Sequence, residues 1–411
     1  MSKRYKMNQK LLANKLRKIR EAQKLSQQMV ADALELPRTA ITQIENGNRA
    51  VSTLELMKFA KLYRKTSSYF LEDSVAEEEE VELVLYRMTS ALSQESRIGE
   101  KIQHYVDLCK EGISLKKILG SQVSMNPPQY SISIPENKAE AVEQGNLSAE
   151  QERKRLSLGN RPITDLMNLI TEQGIWACST PLPDEISGLF LNSTKTGCII
   201  LVNANHVVAR KRFSYAHEYA HVLFDRNEPA SISSIENNSD YKEIRANAFT
   251  ASFLMPAQGI QEALENVNKG KASRQNQILF DVSSNTAMDI KSRSTPYSQE
   301  ITYHDIARIA HSFGVSYPAV VYRLRSLNLV SYSESEALSA RYKEGKDFLK
   351  LLNMLSDLEA TEDAKLWDRE LRSDLVQLML EAYRRHEISR GFVMELAEKI
   401  GISGKSLCDL N

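Results

Sequence analysis

The sequence predicts a mainly α protein with a small β-sheet: an all-α five-helix head, an α+β middle and a helical C-terminal region. Three observations carry that expectation. Apolar residues recur at helical spacing through residues 9–72. Short apolar runs bounded by Gly and Pro, the mark of strands, gather in the middle of the chain. The last eighty or so residues are charged and helical again. At 411 residues the chain is too long for one ordinary core, so several domains are expected.

In the head, Leu12, Leu16 and Ile19 form one helical stripe. Ser26 can cap a second helix through Met29, Val30 and Ala33. Pro37 suits the first turn of a third helix, which should end at "ENG", where Gly47 can take a left-handed conformation. Ser52 and Ser67 are candidate caps for the fourth and fifth. The head is placed at 1–73, ahead of the "AEEEE" run.

A helical connector and linker is expected over 74–147. Ile98, Ile102, Tyr105 and Cys109 mark a packing or self-association face, and "NPPQYSISIPENKAEAVEQGN" reads as linker because Pro and polar residues interrupt it. The middle domain is placed at 148–330. It opens with helices at "AEQERKRL" and "ITDLMNLITEQG", followed by strands "GIWAC", "SGLFLN" and "GCIILVN". Helices follow at "RKRFSYAHEYAHVLF", at "YKEIRANAFTASFL" (stopped by Pro256), at "YHDIARIAHSFG" and at "SYPAVVYRLRSLNL". Residues 331–411 form a helical region with no legible role.

Composition narrows the function classes. No apolar run approaches the roughly 20 residues of a membrane span, and "MSKRYKMNQK" has no apolar signal core behind its charges. Cys109, Cys178, Cys198 and Cys408 are scattered, which fits a reducing cytoplasm rather than a disulfide framework. Net charge is zero, yet the head holds fifteen Lys/Arg against seven Asp/Glu. A head of charge +8 on a body of charge −8 invites a nucleic-acid partner.

The helices around "LSQQMVADAL" and "LPRTAITQIENG" resemble the lambda-repressor-like helix-turn-helix domain of XRE-type regulators, over residues 9–72. The resemblance implies that the third helix enters the major groove of a double-stranded DNA operator, with Gln27 on a phosphate and Arg38, Thr39, Thr42 and Gln43 toward the bases. Arg pairs bidentately with guanine, Gln with adenine, and a Thr methyl touches thymine. Asn46 and Asn48 are placed to reach phosphate, and a homodimer is expected. Arg20 and Glu45 align with a buried structural ion pair of such domains. The competing reading is a five-helix protein-interaction module, which would leave the polar face of the third helix without a task.

"HEYAH" places His217 and His221 one helical turn apart, on one face, about 6 Å along the axis. Both can aim nitrogens at one metal ion, with Glu218 beside them as a base for metal-assisted hydrolysis. A third ligand is needed. Asp225 lies about 12 Å of helical rise from His217, too far for one ion. Glu243 in the next helix is better placed, with Asn247 one turn on to support a ligand histidine from outside.

"RKRFSYAHEYAHVLF" followed by "EIRANAFTASFLMP" resembles the ImmA/IrrE-type zinc metallopeptidase domain, thermolysin-like and minimal, over about 148–330. The resemblance implies Zn2+ on His217, His221 and Glu243, Glu218 as general base and Asn247 as support. One departure is Tyr219-Ala220 where Leu-Gly is common, a bulk expected to narrow the cleft. Tyr215, Tyr219, Tyr241 and His206 are unranked candidates for stabilising the oxyanion. Together the resemblances imply a transcriptional regulator with an endopeptidase that cleaves a repressor-type protein partner, or itself. The alternatives are packed histidines without metal, and a metal-containing sensor or partner-binding body in a phage-immunity or toxin–antitoxin setting.

Overall fold

The computed structural model describes residues 9–22, 25–63, 70, 96–120, 127–193, 197–226, 230–234, 240–269, 274–281, 286–293, 299–361 and 369–409. The chain divides into two compact units, Met1–Leu83 and Val84–Asn411. The fold is mainly α with a small sheet, as the sequence predicts.

In the first unit, α1 (Gln9–Ala22), α2 (Gln27–Leu34), α3 (Arg38–Glu45) and α4 (Thr53–Tyr63) close over Leu16, Val30, Ile41, Ile44 and Phe59, all fully buried. Ser26 caps α2 by accepting from the Met29 amide at 3.1 Å. Pro37 stands at the N-cap of α3, and Gly47 follows the helix at φ 73°. The Ser67 cap lies outside the described residues. Arg20 binds Glu45 through Nε–Oε1 at 2.6 Å and Nη2–Oε2 at 3.1 Å, the structural pair the sequence suggested.

The second unit begins with α5 (Ser96–Ile118), in which Ile102 and Cys109 are buried and Tyr105 half-buried. Then come α6 (Lys138–Arg155) and α7 (Leu166–Glu172). Strands β1 (Trp176–Thr180), β2 (Ile186–Ser193) and β3 (Gly197–Asn203) precede α8 (Val208–Phe224), β4 (Ala230–Ser234), α9 (Tyr241–Leu254) and α10 (Ala257–Glu265). The sheet order is β1-β3-β2-β4, with β1 and β3 parallel and the other pairs antiparallel. β3 is buried along its whole length, and α8 packs across β2 and β3. A hairpin follows, β5 (Arg274–Asp281) with β6 (Thr286–Arg293). The chain ends in helices α11 (Tyr303–Phe313), α12 (Tyr317–Ser326), α13 (Tyr332–Ala340), α14 (Tyr342–Leu351), α15 (Ser356–Glu359), α16 (Arg369–Arg384), α17 (Arg390–Lys399) and α18 (Gly404–Asp409). α16 packs on α5 and β1. No helix among the described residues is long and apolar enough to cross a membrane.

Two readings change. The stretch taken as linker is helical from Lys138 onward, capped by Asn137 and packed along α9. Gly145 is what brings the two helices together. A Cβ there would stand 2.5 Å from the Arg245 carbonyl and 2.7 Å from the Phe249 amide. Gly145→Ala would gain about 1 kcal/mol of helix propensity but force two backbones apart. A net loss of about 1–3 kcal/mol is expected, read from urea unfolding; unchanged stability would contradict so close a contact. The strand β4 and the β5–β6 hairpin were not anticipated.

The turn between α2 and α3 recurs. Glu35, Gly314 and Gly401 all take positive φ, at 57°, 64° and 70°. The next amide in each case reaches back five residues: Leu36 to Ala31 at 2.9 Å, Val315 to Ala310 at 2.9 Å and Ile402 to Ala397 at 2.8 Å. The second copy is a packing device, because Val320, Val321 and Leu324 of α12 are core residues.

Candidate metal centre

The centre stands where α8 passes α9. His217 and His221 share one face of α8, and Glu243 projects from the first turn of α9, whose start is capped by Asp240. All three are buried, and each offers a ligand atom within 4.8 Å of the others. His217 Nε2 lies 2.9 Å from Glu243 Oε2, His221 Nε2 lies 3.2 Å from His217 Nε2, and His221 Nε2 lies 3.4 Å from Glu243 Oε1. Tetrahedral ligands at 2.0–2.1 Å from one ion stand about 3.3 Å apart. The spacing fits a zinc-sized ion.

The outer partners fix which nitrogens point inward. His217 Nδ1 faces Asn247 Oδ1 at 3.1 Å, and His221 Nδ1 faces Asp225 Oδ2 at 2.9 Å. Both oxygens are acceptors, so each imidazole carries its proton on Nδ1 and turns an Nε2 lone pair to the centre. Two lone pairs and a carboxylate converging within hydrogen-bond distance need a cation between them. The donor set fits zinc, on geometry and on tautomer.

Electrostatics agree. Burial would lower the His221 pKa, but hydrogen bonds to Asp225 and Glu243 outweigh it and hold the ring up at about 10. Burial would raise Glu243, yet the hydrogen bonds from His217 and His221 bring it down to about 2. Without metal, a proton on His221 takes the cation's place.

Glu218 is wholly buried, and burial pushes its carboxyl upward against the pull of His217 and His221. The Ser233 hydroxyl on β4 is its polar neighbour and favours the carboxylate form. It sits against β2 at Gly188, where an added Cβ would come within 2.8 Å of Oε1. A bare glycine leaves that carboxylate its room.

The sequence missed two members of the site. Asp225, weighed as a ligand, is instead the acceptor that orients His221, and Arg245 holds it from α9 at 2.7 Å. The i to i+4 step from His221 to Asp225 was the available signal. Tyr219 does not narrow the cleft: its ring packs on Phe249 and Phe253, and its hydroxyl bonds Glu152. Of the other oxyanion candidates, Tyr215 and His206 are buried, and Tyr241 is 40% exposed at the start of α9.

In the head, Arg38, Thr39, Gln43, Asn46 and Asn48 are exposed and Thr42 is half-buried. Gln27 braces α3 from α2: its Nε2 donates to Glu45 at 2.8 Å, and the Thr42 hydroxyl donates to its Oε1 at 3.0 Å.

Two family models match the chain. A helix-turn-helix model covers residues 16–70, and a peptidase-family model described as the IrrE N-terminal-like domain covers residues 170–325. The chain therefore joins an XRE-type helix-turn-helix domain to an ImmA/IrrE-type domain. No curated protein matches the chain. Among solved structures, Bacillus thuringiensis PlcR in complex with the peptide PapR7 and DNA aligns over 98% of this chain and 95% of that one, at 10% identity and a TM-score of 0.16. That score is too low to establish a common arrangement.

Proposed function

We propose that the chain is a transcriptional regulator whose head binds a double-stranded DNA operator as a homodimer, and whose body is a zinc endopeptidase acting on a repressor-type partner or on the chain itself. The observation that carries the peptidase reading is the centre itself: two Nε2 lone pairs and Glu243 converge, and Glu218 stands buried beside them. Zinc held by His217, His221 and Glu243 supplies Lewis acidity and lowers the pKa of a water toward neutrality. The rest falls to the protein's own side chains. Asn247 and Asp225 keep the imidazoles in one tautomer, and Gly188 leaves the Glu218 carboxylate free to move toward water. Its upward-pushed pKa suits a group that accepts a proton and later returns it.

The direct test incubates the zinc-loaded protein with itself and with purified repressors encoded beside it, with and without chelator. Zinc-dependent loss of full-length protein on a gel is expected. Intact chains under every condition would sink the peptidase reading.

For the head, the exposed Arg38, Thr39 and Gln43 on α3 support base readout. Arg38→Ala is expected to cost about 1–3 kcal/mol and to relax base choice at one operator position, measured by mobility shift on single-base operator variants. An equal loss on every variant would assign Arg38 to the phosphates.

A metal sensor is the second reading, and the depth of the site favours it. His217, Glu218, His221 and Glu243 are each no more than 5% exposed.

A further inference from the structure

We propose that the metal centre communicates its occupancy through Arg245 to the extended strap at residues 127–135, so that metal binding and strap docking stabilise each other. The proposal rests on the metal-binding part of the reading above and is independent of catalysis.

The strap has no helix or strand of its own, and its backbone is held at three points. Arg226 Nη2 donates to the carbonyls of Pro127 at 2.5 Å and Pro128 at 2.7 Å. The Tyr130 amide donates to the Leu223 carbonyl at 2.9 Å. Arg245 Nη1 donates to the Ser133 carbonyl at 3.4 Å. Each holder is close to a ligand in the chain: Leu223 is two and Arg226 five residues past His221, and Arg245 is two residues past Glu243.

Arg245 joins the two systems. Its side chain is 2% exposed, with the guanidinium 4.9 Å from the centre of the Phe224 ring. One arm binds Asp225 Oδ1 at 2.7 Å while the other donates to the Ser133 carbonyl and to Gln144 Oε1, each at 3.4 Å. The second Asp225 oxygen accepts from His221 Nδ1 at 2.9 Å. An unbroken path therefore runs from the inward His221 nitrogen to the strap. The guanidinium is a rigid planar fork, so fixing one arm fixes the direction of the other. A bound ion fixes the His221 ring and with it Asp225 and Arg245. By linkage, whatever the ion adds to strap docking, docking adds to ion affinity.

The test is hydrogen exchange across residues 127–135 in the full chain, with zinc and after chelation, alongside zinc affinity. Zinc is expected to slow exchange at the Tyr130 and Ile132 amides about tenfold or more. Arg245→Met should remove that zinc-dependent difference and weaken zinc about 10–100-fold, the usual effect of losing an outer partner. Arg226→Ala is the stricter probe, because the Arg226 guanidinium bonds the carbonyls of Val222, Pro127 and Pro128, and neither the ligands nor the Asp225 carboxylate. It should loosen the strap and weaken zinc by the same factor by which zinc protects the strap. A loosened strap with unchanged zinc affinity overturns the coupling, and so does zinc protection that survives in Arg245→Met. A wild-type chain that takes up no zinc overturns the metal centre and the coupling with it; one that takes up zinc with an unchanged strap overturns the coupling alone.

Discussion

His221→Ala is expected to empty the metal centre, taking the zinc content of purified protein from about one per chain to near zero. His221 contributes one of three converging donors, and its ring stands within 3.4 Å of both other ligand atoms. Removing it leaves a site with two ligands and the Asp225 carboxylate without its imidazole. Glu243→Ala should weaken zinc strongly for the same reason. Asp225→Asn keeps every ligand and should cost only about 10–100-fold in affinity, because it disturbs the orientation of His221 and not its presence. Metal analysis after gel filtration separates these outcomes. Wild-type zinc affinity in Glu243→Ala would remove it from the ligand set.

Proton release gives the same centre a second signature. Zinc and a proton compete for the same inward nitrogens, and the metal-free His221 holds its proton up to about 10. Uptake at pH 7.5 should therefore release about one proton, and affinity should rise about tenfold per pH unit in that range. Calorimetry in two buffers of different ionisation enthalpy counts it. The metal-free fold obeys the opposite sign. His221 is raised above its ordinary 6.5, so its stabilisation is complete below that value and is lost as pH climbs through about 10. Glu243 is depressed from its ordinary 4.5, so its contribution holds above that value and disappears as pH falls through about 2.

The legible part of this molecule was whatever lies within one or two helical turns. The His217–His221 step, the Glu243–Asn247 step, the Ser26 cap and the Gly47 stop are local patterns, and each is present in the fold. Contacts between distant segments were not legible. Nothing local marks Arg245, which is nearly fully buried between Asp225 and Ser133 because three segments meet there. The close packing at Gly145 was equally hidden, because its neighbours Arg245 and Phe249 lie about a hundred residues away in the chain. β4 is short and mostly polar, and only its pairing with β2 makes it a strand. The recurring turn makes the limit plain. The same backbone at Glu35 and Gly314 leads each time into a helix with one buried and one exposed face: Ile41 and Ile44 against Arg38 and Gln43 on α3, and Val320, Val321 and Leu324 against Tyr322 and Arg325 on α12. The turn specifies a crossing of helices; its task is decided by what covers the second helix.

Glu218→Gln is expected to keep zinc and DNA binding while abolishing proteolysis and, with it, transcriptional switching. The substitution is nearly isosteric, and it exchanges a carboxylate for an amide that accepts no proton at neutral pH. Glu218 is not among the three converging ligands, so the ion should stay. The amide also removes a buried negative charge while keeping an oxygen that can accept from the neighbouring Ser233 hydroxyl, so the fold should not suffer. Loss of general-base catalysis alone is worth about 10²–10⁴ in rate. A sensor needs the ion but no base, so under that reading Glu218→Gln switches as wild type does and His221→Ala does not. Reporter expression from the protein's own operator, with immunoblots of candidate repressors, reads both arms. If Glu218→Gln switches normally and no partner is shortened, the body is a metal sensor. If Glu218→Gln and His221→Ala fail alike, and only wild type shortens a partner, regulation runs through the cut.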